Sequence, residues 1–146
     1  MPHRAPLRFI FYIAAPADKV WEGFVSRESN RIIFMGADLD GEFRSGASVA
    51  WVGPGADGKR VAYVRAGVLR CDAPRRLEYT FAMGQSDKAS RVTVELVSES
   101  EATQVIVTHD EWADDDPGYD SSADGWPRIL SRLKTLIETG KTFRPH

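Results

Sequence analysis

Gly125-Trp126-Pro127-Arg128-Ile129-Leu130-Ser131-Arg132-Leu133-Lys134-Thr135-Leu136-Ile137 is the stretch on which the fold turns. Trp126, Ile129, Leu130, Leu133, Leu136 and Ile137 recur at i, i+3, i+4, i+7, i+10 and i+11. That spacing is one apolar stripe along a helix of about five turns. Ser121 is positioned to cap its start, with Asp124 as the acid of a shortened capping box. The helix is therefore expected from about Ser122 to Thr139. Gly140 suits a left-handed exit. A stripe this long needs an apolar surface to lie on.

The residues before it supply that surface. Leu7, Phe9, Phe11 and Ile13 alternate with Arg8, Ile10 and Tyr12, the pattern of a half-covered strand. Leu77, Tyr79 and Phe81 alternate with Glu78 and Thr80; Val92, Val94 and Leu96 with Thr93 and Glu95; Val105, Val107 and His109 with Gln104, Ile106 and Thr108. Ser48 to Val52 and Arg60 to Arg70 read as two more strands. Gly53-Pro54-Gly55-Ala56-Asp57-Gly58 joins them as a hairpin loop, and Asp72-Ala73-Pro74 makes the next turn. Short turns imply an antiparallel meander with one wet face and one covered face. Between the first strand and this run, Pro16 suits the first turn of a helix whose apolar face is Val20, Trp21 and Phe24. A second short helix is expected over Ser26 to Ile32. The fold class is α+β: a curved antiparallel sheet, two short helices after its first strand, and a long C-terminal helix across the inner face.

Bulk properties narrow the function. The chain has 146 residues, 42% hydrophobic and 27% charged, an ordinary globular composition. No repeat or linker divides it, so residues 1–146 are read as one domain. A net charge of -2 argues against a nucleic-acid partner, which needs a basic face, and against an anionic membrane surface. No run approaches the ~20 apolar residues of a membrane span, and nothing resembles a signal-peptide core. The cytoplasm is the expected location. Cys71 is the single cysteine, which rules out an intrachain disulfide and a cysteine-based zinc site. Neither a metal nor a cofactor is expected.

Several blocks together resemble a known family. They are Ala15-Pro16-Ala17-Asp18-Lys19-Val20-Trp21, Phe43-Arg44-Ser45-Gly46, Asp72-Ala73-Pro74-Arg75-Arg76-Leu77, and Thr103 with Thr108-His109, ahead of Gly125-Trp126 and a leucine-rich helix. In this order they are similar to the family named for the C-terminal domain of the activator of heat-shock protein 90 ATPase, within the START-like (SRPBCC) superfamily. Ala47 stands where the family's second motif has another glycine. The resemblance implies a helix-grip fold with a cavity between sheet and helix. It implies that the position of His109 faces that cavity, and that Phe34 replaces a frequent tryptophan at its mouth. The eukaryotic activator has a further N-terminal domain with no counterpart in this chain, so chaperone activation is not expected to carry over.

Candidate site residues follow from both readings. Trp51, Tyr63, Tyr79, Phe81 and Trp126, with His109, are placed under the long helix and would line a ligand cavity; Trp112 belongs to the same aromatic set. Equally, such large side chains build an ordinary core. His109 is either a locally satisfied core histidine or a polar anchor, and a base role would need an orienting carboxylate such as Asp110 or Glu111. Arg65, read on the face of Tyr63, would hold an anionic group if it reached the cavity, against a plainer role as a solvated arginine. Glu111, Asp114, Asp115, Asp116, Asp120 and Asp124 form an acidic stretch whose spacing fits no EF-hand, so a solvated loop is expected. Gly53 to Gly58 spells G-x-G-x-x-G, but a strand follows it where a dinucleotide site needs a helix. The leading expectation is a binding protein for an apolar, amphipathic or lipid-like small molecule. A cyclase or hydro-lyase using the same cavity is the alternative, and a protein-interaction module the third; a chaperone partner, a stress-response role and a homodimer stay open.

Overall fold

The computed structural model describes residues 4–34 and 36–144. Strand β1 (Leu7–Ile13) leads into helices α1 (Ala17–Val25) and α2 (Arg27–Ile33). Strands β2 (Asp38–Asp40), β3 (Ser48–Pro54), β4 (Arg60–Asp72), β5 (Arg76–Met83), β6 (Ser90–Ser98) and β7 (Thr103–Asp110) follow, and helix α3 (Tyr119–Thr139) ends the fold. The strands form one antiparallel sheet in the order β1-β7-β6-β5-β4-β3-β2. The sheet curves around α3, as the alternation and the apolar stripe require.

The alternating residues meet where expected. Val92, Val94, Val105, Val107 and Leu133 are all fully buried in one core. Covering a side chain of this kind stabilises the fold by about 1.5–3 kcal/mol. Helix α1 can lie close to α3 because Gly23 has no side chain. A Cβ there would stand 2.5 Å from Leu133 Cδ1 and 3.0 Å from Ile137 Cδ1.

Several boundaries differ from the sequence reading, each for a physical reason. Helix α3 begins at Tyr119 rather than near Ser122; Gly118 is its N-cap, and no side chain caps it. Ser121 instead lies inside the first turn and donates to the Gly118 carbonyl at 3.2 Å. Pro16 sits one residue earlier than expected, as the N-cap of α1, its carbonyl accepting from Lys19 and Val20. Helix α2 is shifted by one residue because Ser26 is its cap, accepting from the Ser29 amide at 3.2 Å. Strand β2, with three residues, is too short for alternation to reveal it. The Gly53–Gly58 segment is the expected hairpin, closed by Gly55 N–H to the Lys59 carbonyl at 2.7 Å.

Strand β4 carries two irregularities that the sequence did not announce. Trp51 pairs with Val64 while Val52 pairs with Ala62, leaving Tyr63 as an extra residue; Val68 pairs with Tyr79 while Arg70 pairs with Glu78, leaving Leu69 extra. Such bulges re-aim side chains. Among the described residues, no helix is long and apolar enough to cross a membrane.

Candidate functional site

A cleft of about 810 Å³ opens between the first half of α3 and the β3–β5 part of the sheet. Phe34, Trp51, Phe81, Met83, Trp126 and Ile129 form its apolar walls. Tyr63 stands at its side, and Ser86, Ser121 and Ser122 are the polar residues of its rim. None of the described residues lining it is charged. A groove of similar size, about 800 Å³, runs beside β2, but its walls are charged, and Arg31 and Arg60 both reach Asp38 there, at 3.6 and 3.1 Å.

Trp51 is held by the second helix. Its indole N–H donates to Asn30 Oδ1 at 3.0 Å, and Asn30 Nδ2 in turn donates to the carbonyls of Phe24 and Ser26 at 2.9 and 2.8 Å. Phe34 packs between the two tryptophans, 5.0 Å from the Trp51 ring and 6.5 Å, edge-on, from that of Trp126. The position of Phe34 depends on a buried arginine. Arg132 donates from Nε and Nη2 to the Ile33 carbonyl, at 3.1 and 3.0 Å, and so closes the C-terminal end of α2 just before Phe34. Burial, and secondarily the Arg128 charge, lowers the pKa of this guanidinium. Asn30 and Arg132 were not legible as site residues, because a lone polar residue in a helix gives no periodic signal.

His109 is where the plainer expectation prevails. The ring is fully buried and does not line the cleft. Trp126 donates its indole N–H to Nδ1 at 2.9 Å, so in the neutral ring the proton sits on Nε2. Nε2–H then donates to Ser90 Oγ at 2.7 Å, and Ser90 donates to the Phe81 carbonyl at 3.2 Å. Burial lowers the pKa of the imidazole to about 3. The carboxylates proposed to orient it are elsewhere: Asp110 and Glu111 both pair with Arg91, at 3.3 and 2.9 Å. With its lone pair taken by Trp126, this histidine has no basic nitrogen to offer Ser90 or a substrate.

Tyr79 also lies behind the cleft wall, its ring 5.9 Å from that of Trp51 and 5.7 Å from that of Phe43. Burial raises its phenol pKa. Trp112 is fully buried against His109, at 3.9 Å between ring centres, and donates to the His109 carbonyl at 2.8 Å. Tyr63 does border the opening, through the bulge rather than through regular alternation. Its ring covers Gly53, where a Cβ would stand 2.6 Å from the hydroxyl, and the hydroxyl donates to the Pro54 carbonyl at 2.7 Å.

Arg65 does not share that side, which corrects its placement on the face of Tyr63 and leaves the plainer reading of an arginine outside the cavity. The extra residue breaks their alternation, and Arg65 lies on the sheet face away from α3. There it donates to the Gly84 and Ser86 carbonyls at 2.6 and 2.5 Å. It thereby anchors from behind the loop whose Gly84 and Ser86 edge the cleft. The acidic stretch is dispersed among separate partners: Asp115 with Lys88, Asp120 with Arg4 and Asp124 with Arg128. Among the described residues no group of three His, Cys, Asp or Glu side chains is arranged to hold a metal ion.

The sequence pattern of the Activator of Hsp90 ATPase homolog 1-like protein family matches residues 14–138. The chain belongs to this family. No curated protein is recognisably related to it in sequence. Among solved structures of similar fold is MLL2253 from Mesorhizobium loti, 19% identical, with 91% of this chain and 96% of that one covered and a TM-score of 0.75. DynU16, a protein of the dynemicin biosynthetic locus, is 25% identical over 96% of this chain and 49% of its own, with a TM-score of 0.77. The Aha1 dimer from Colwellia psychrerythraea is 16% identical, with 94% of this chain and 99% of that one covered and a TM-score of 0.74. The family's helix-grip architecture is thus shared at low identity.

Proposed function

We propose that the protein binds a small apolar or amphipathic molecule in the cleft between α3 and the sheet. The observation that carries this reading is the cleft's lining: aromatic walls, uncharged throughout the described residues, with hydroxyls only at the rim. Ligand sites favour that combination of apolar area with few polar groups. Trp51, Phe81 and Trp126 are proposed as contacts, with Tyr63, Phe34 and Met83 beside them. Tyr79 and His109 act behind the wall, the histidine by holding Trp126. Catalysis through His109 has no support, since its free nitrogen is occupied.

Titration with the neutral fluorophore N-phenylnaphthylamine tests the proposal. Binding at micromolar concentration with quenching of tryptophan emission is expected, weakened by Trp126→Ala by about 1–3 kcal/mol. Native mass spectrometry of protein from its own host is expected to show a retained small molecule. Unchanged fluorophore affinity in Trp126→Ala and Phe34→Ala, with the fold intact, would place binding elsewhere.

A further inference from the structure

The polar rim of the cleft has an unspent donor. Ser122 is 8% exposed and lines the cleft, yet no hydrogen bond among the described residues reaches its hydroxyl. The other two rim serines differ: Ser121 donates to the Gly118 carbonyl, and Ser86 Oγ accepts from the Lys88 amide at 3.0 Å. The Ser122 oxygen is not among the buried side-chain atoms cut off from solvent, so it opens onto the cleft, and a ligand that covers it without offering an acceptor leaves the hydroxyl unpaired at a cost. Ser122 stands in the first turn of a helix of 21 residues whose N-cap supplies no side-chain acceptor. Trp126 follows it at i+4, on the same helix face.

The charge around this donor decides what suits it. The positive end of a helix favours an anion. Asp116 already supplies one: its Oδ1 accepts from the Gly118 amide at 2.8 Å, directly before α3. Its Oδ2 has no hydrogen-bond partner among the described residues, and no ion pair is made by this side chain there. A second anion placed at Ser122 would be repelled by it, whereas a neutral oxygen would accept from the hydroxyl without that penalty.

We infer that the cleft selects a neutral, flat apolar molecule bearing a hydrogen-bond-accepting oxygen, such as an aromatic ketone or quinone, and that the Ser122 hydroxyl is the donor that meets this oxygen. The inference rests on the cleft being a ligand site. The ligand's ring system lies against Trp126 and Phe34, and its oxygen sits one helical turn away at Ser122.

The test uses three probes of one skeleton: acetylnaphthalene, isopropenylnaphthalene, in which a CH₂ replaces the carbonyl oxygen, and naphthoate. Dissociation constants come from tryptophan quenching at neutral pH. Wild-type protein is expected to bind the ketone about five- to tenfold more tightly than the alkene. Ser122→Ala should erase that ratio while leaving the alkene affinity and the thermal midpoint unchanged, and naphthoate should bind more weakly than the ketone. A ketone preference that survives in Ser122→Ala, or naphthoate as the tightest probe, overturns the inference while leaving the cleft reading intact. If none of the probes binds wild-type protein, the cleft reading fails and this inference fails with it.

Discussion

The indole N–H of Trp126 donates to Nδ1 of His109 at 2.9 Å, joining the first half of α3 to the last strand of the sheet. The bond fixes the imidazole tautomer and directs its other nitrogen to Ser90. A residue pair that sequence reading places in one cavity is instead a strut: the tryptophan faces the cleft, and the histidine holds it from behind.

That arrangement makes folding sensitive to acid. The imidazole titrates near 3 in the native protein and near 6.5 in an unfolded chain. Above about pH 6.5 both states are neutral and the full stability is present. As pH falls from there toward 3, only the unfolded chain gains the proton, so stability drops by up to about 5 kcal/mol. Urea unfolding between pH 7 and 4 should show this slope, and His109→Gln should flatten it. Nitrogen chemical shifts should report the Nε2–H tautomer throughout; an imidazole titrating near 6.5 would exclude the buried relay.

Trp126→Phe separates the strut from the contact surface. The variant keeps a ring in the cleft but leaves His109 Nδ1 without a donor, a buried vacancy that costs about 1–3 kcal/mol. A lower urea midpoint with N-phenylnaphthylamine affinity within about threefold of wild type is expected, since only ring contacts serve a neutral fluorophore. Equal stability of Trp126→Phe and wild type would show that the bond contributes nothing.

Arg65→Met should loosen the edge of the cleft while leaving the core intact. Two hydrogen bonds to the Gly84 and Ser86 carbonyls disappear, each worth about 0.5–1.5 kcal/mol. Amide exchange at Gly84 and Ser86 should speed up, and fluorophore affinity should fall severalfold. Unchanged exchange at both amides would mean that the loop holds itself.

Leu133→Asp should leave the protein unfolded or aggregated. Leu133 is fully buried midway along the α3 stripe and lies where a side chain on Gly23 would have to go. An unpaired carboxylate there costs more than a domain with about 5–15 kcal/mol of stability tolerates. A soluble variant with the wild-type thermal midpoint would show that the stripe does not face the core.

The sequence by itself determined the architecture. Alternation from Leu77 to His109 and the stripe from Trp126 to Ile137 are dictated by which faces must leave water, and burial follows them in the structure. It also placed Trp51, Phe81 and Trp126 on one face, because side-chain period alone decides that. Only the tertiary structure decided which of these residues border open space and which merely support them. Tyr63 and Arg65 look equivalent by alternation, but a single extra residue in β4 sends one to the cleft and the other behind the loop it anchors. His109 looks like an anchor until Trp126 and Ser90, 17 and 19 residues away in sequence, take both its nitrogens. Asn30 and Arg132 hold the site through an indole and a carbonyl on other elements. Hydrogen-bond partners and bulges are set by where distant segments come together, and no local periodicity encodes that meeting.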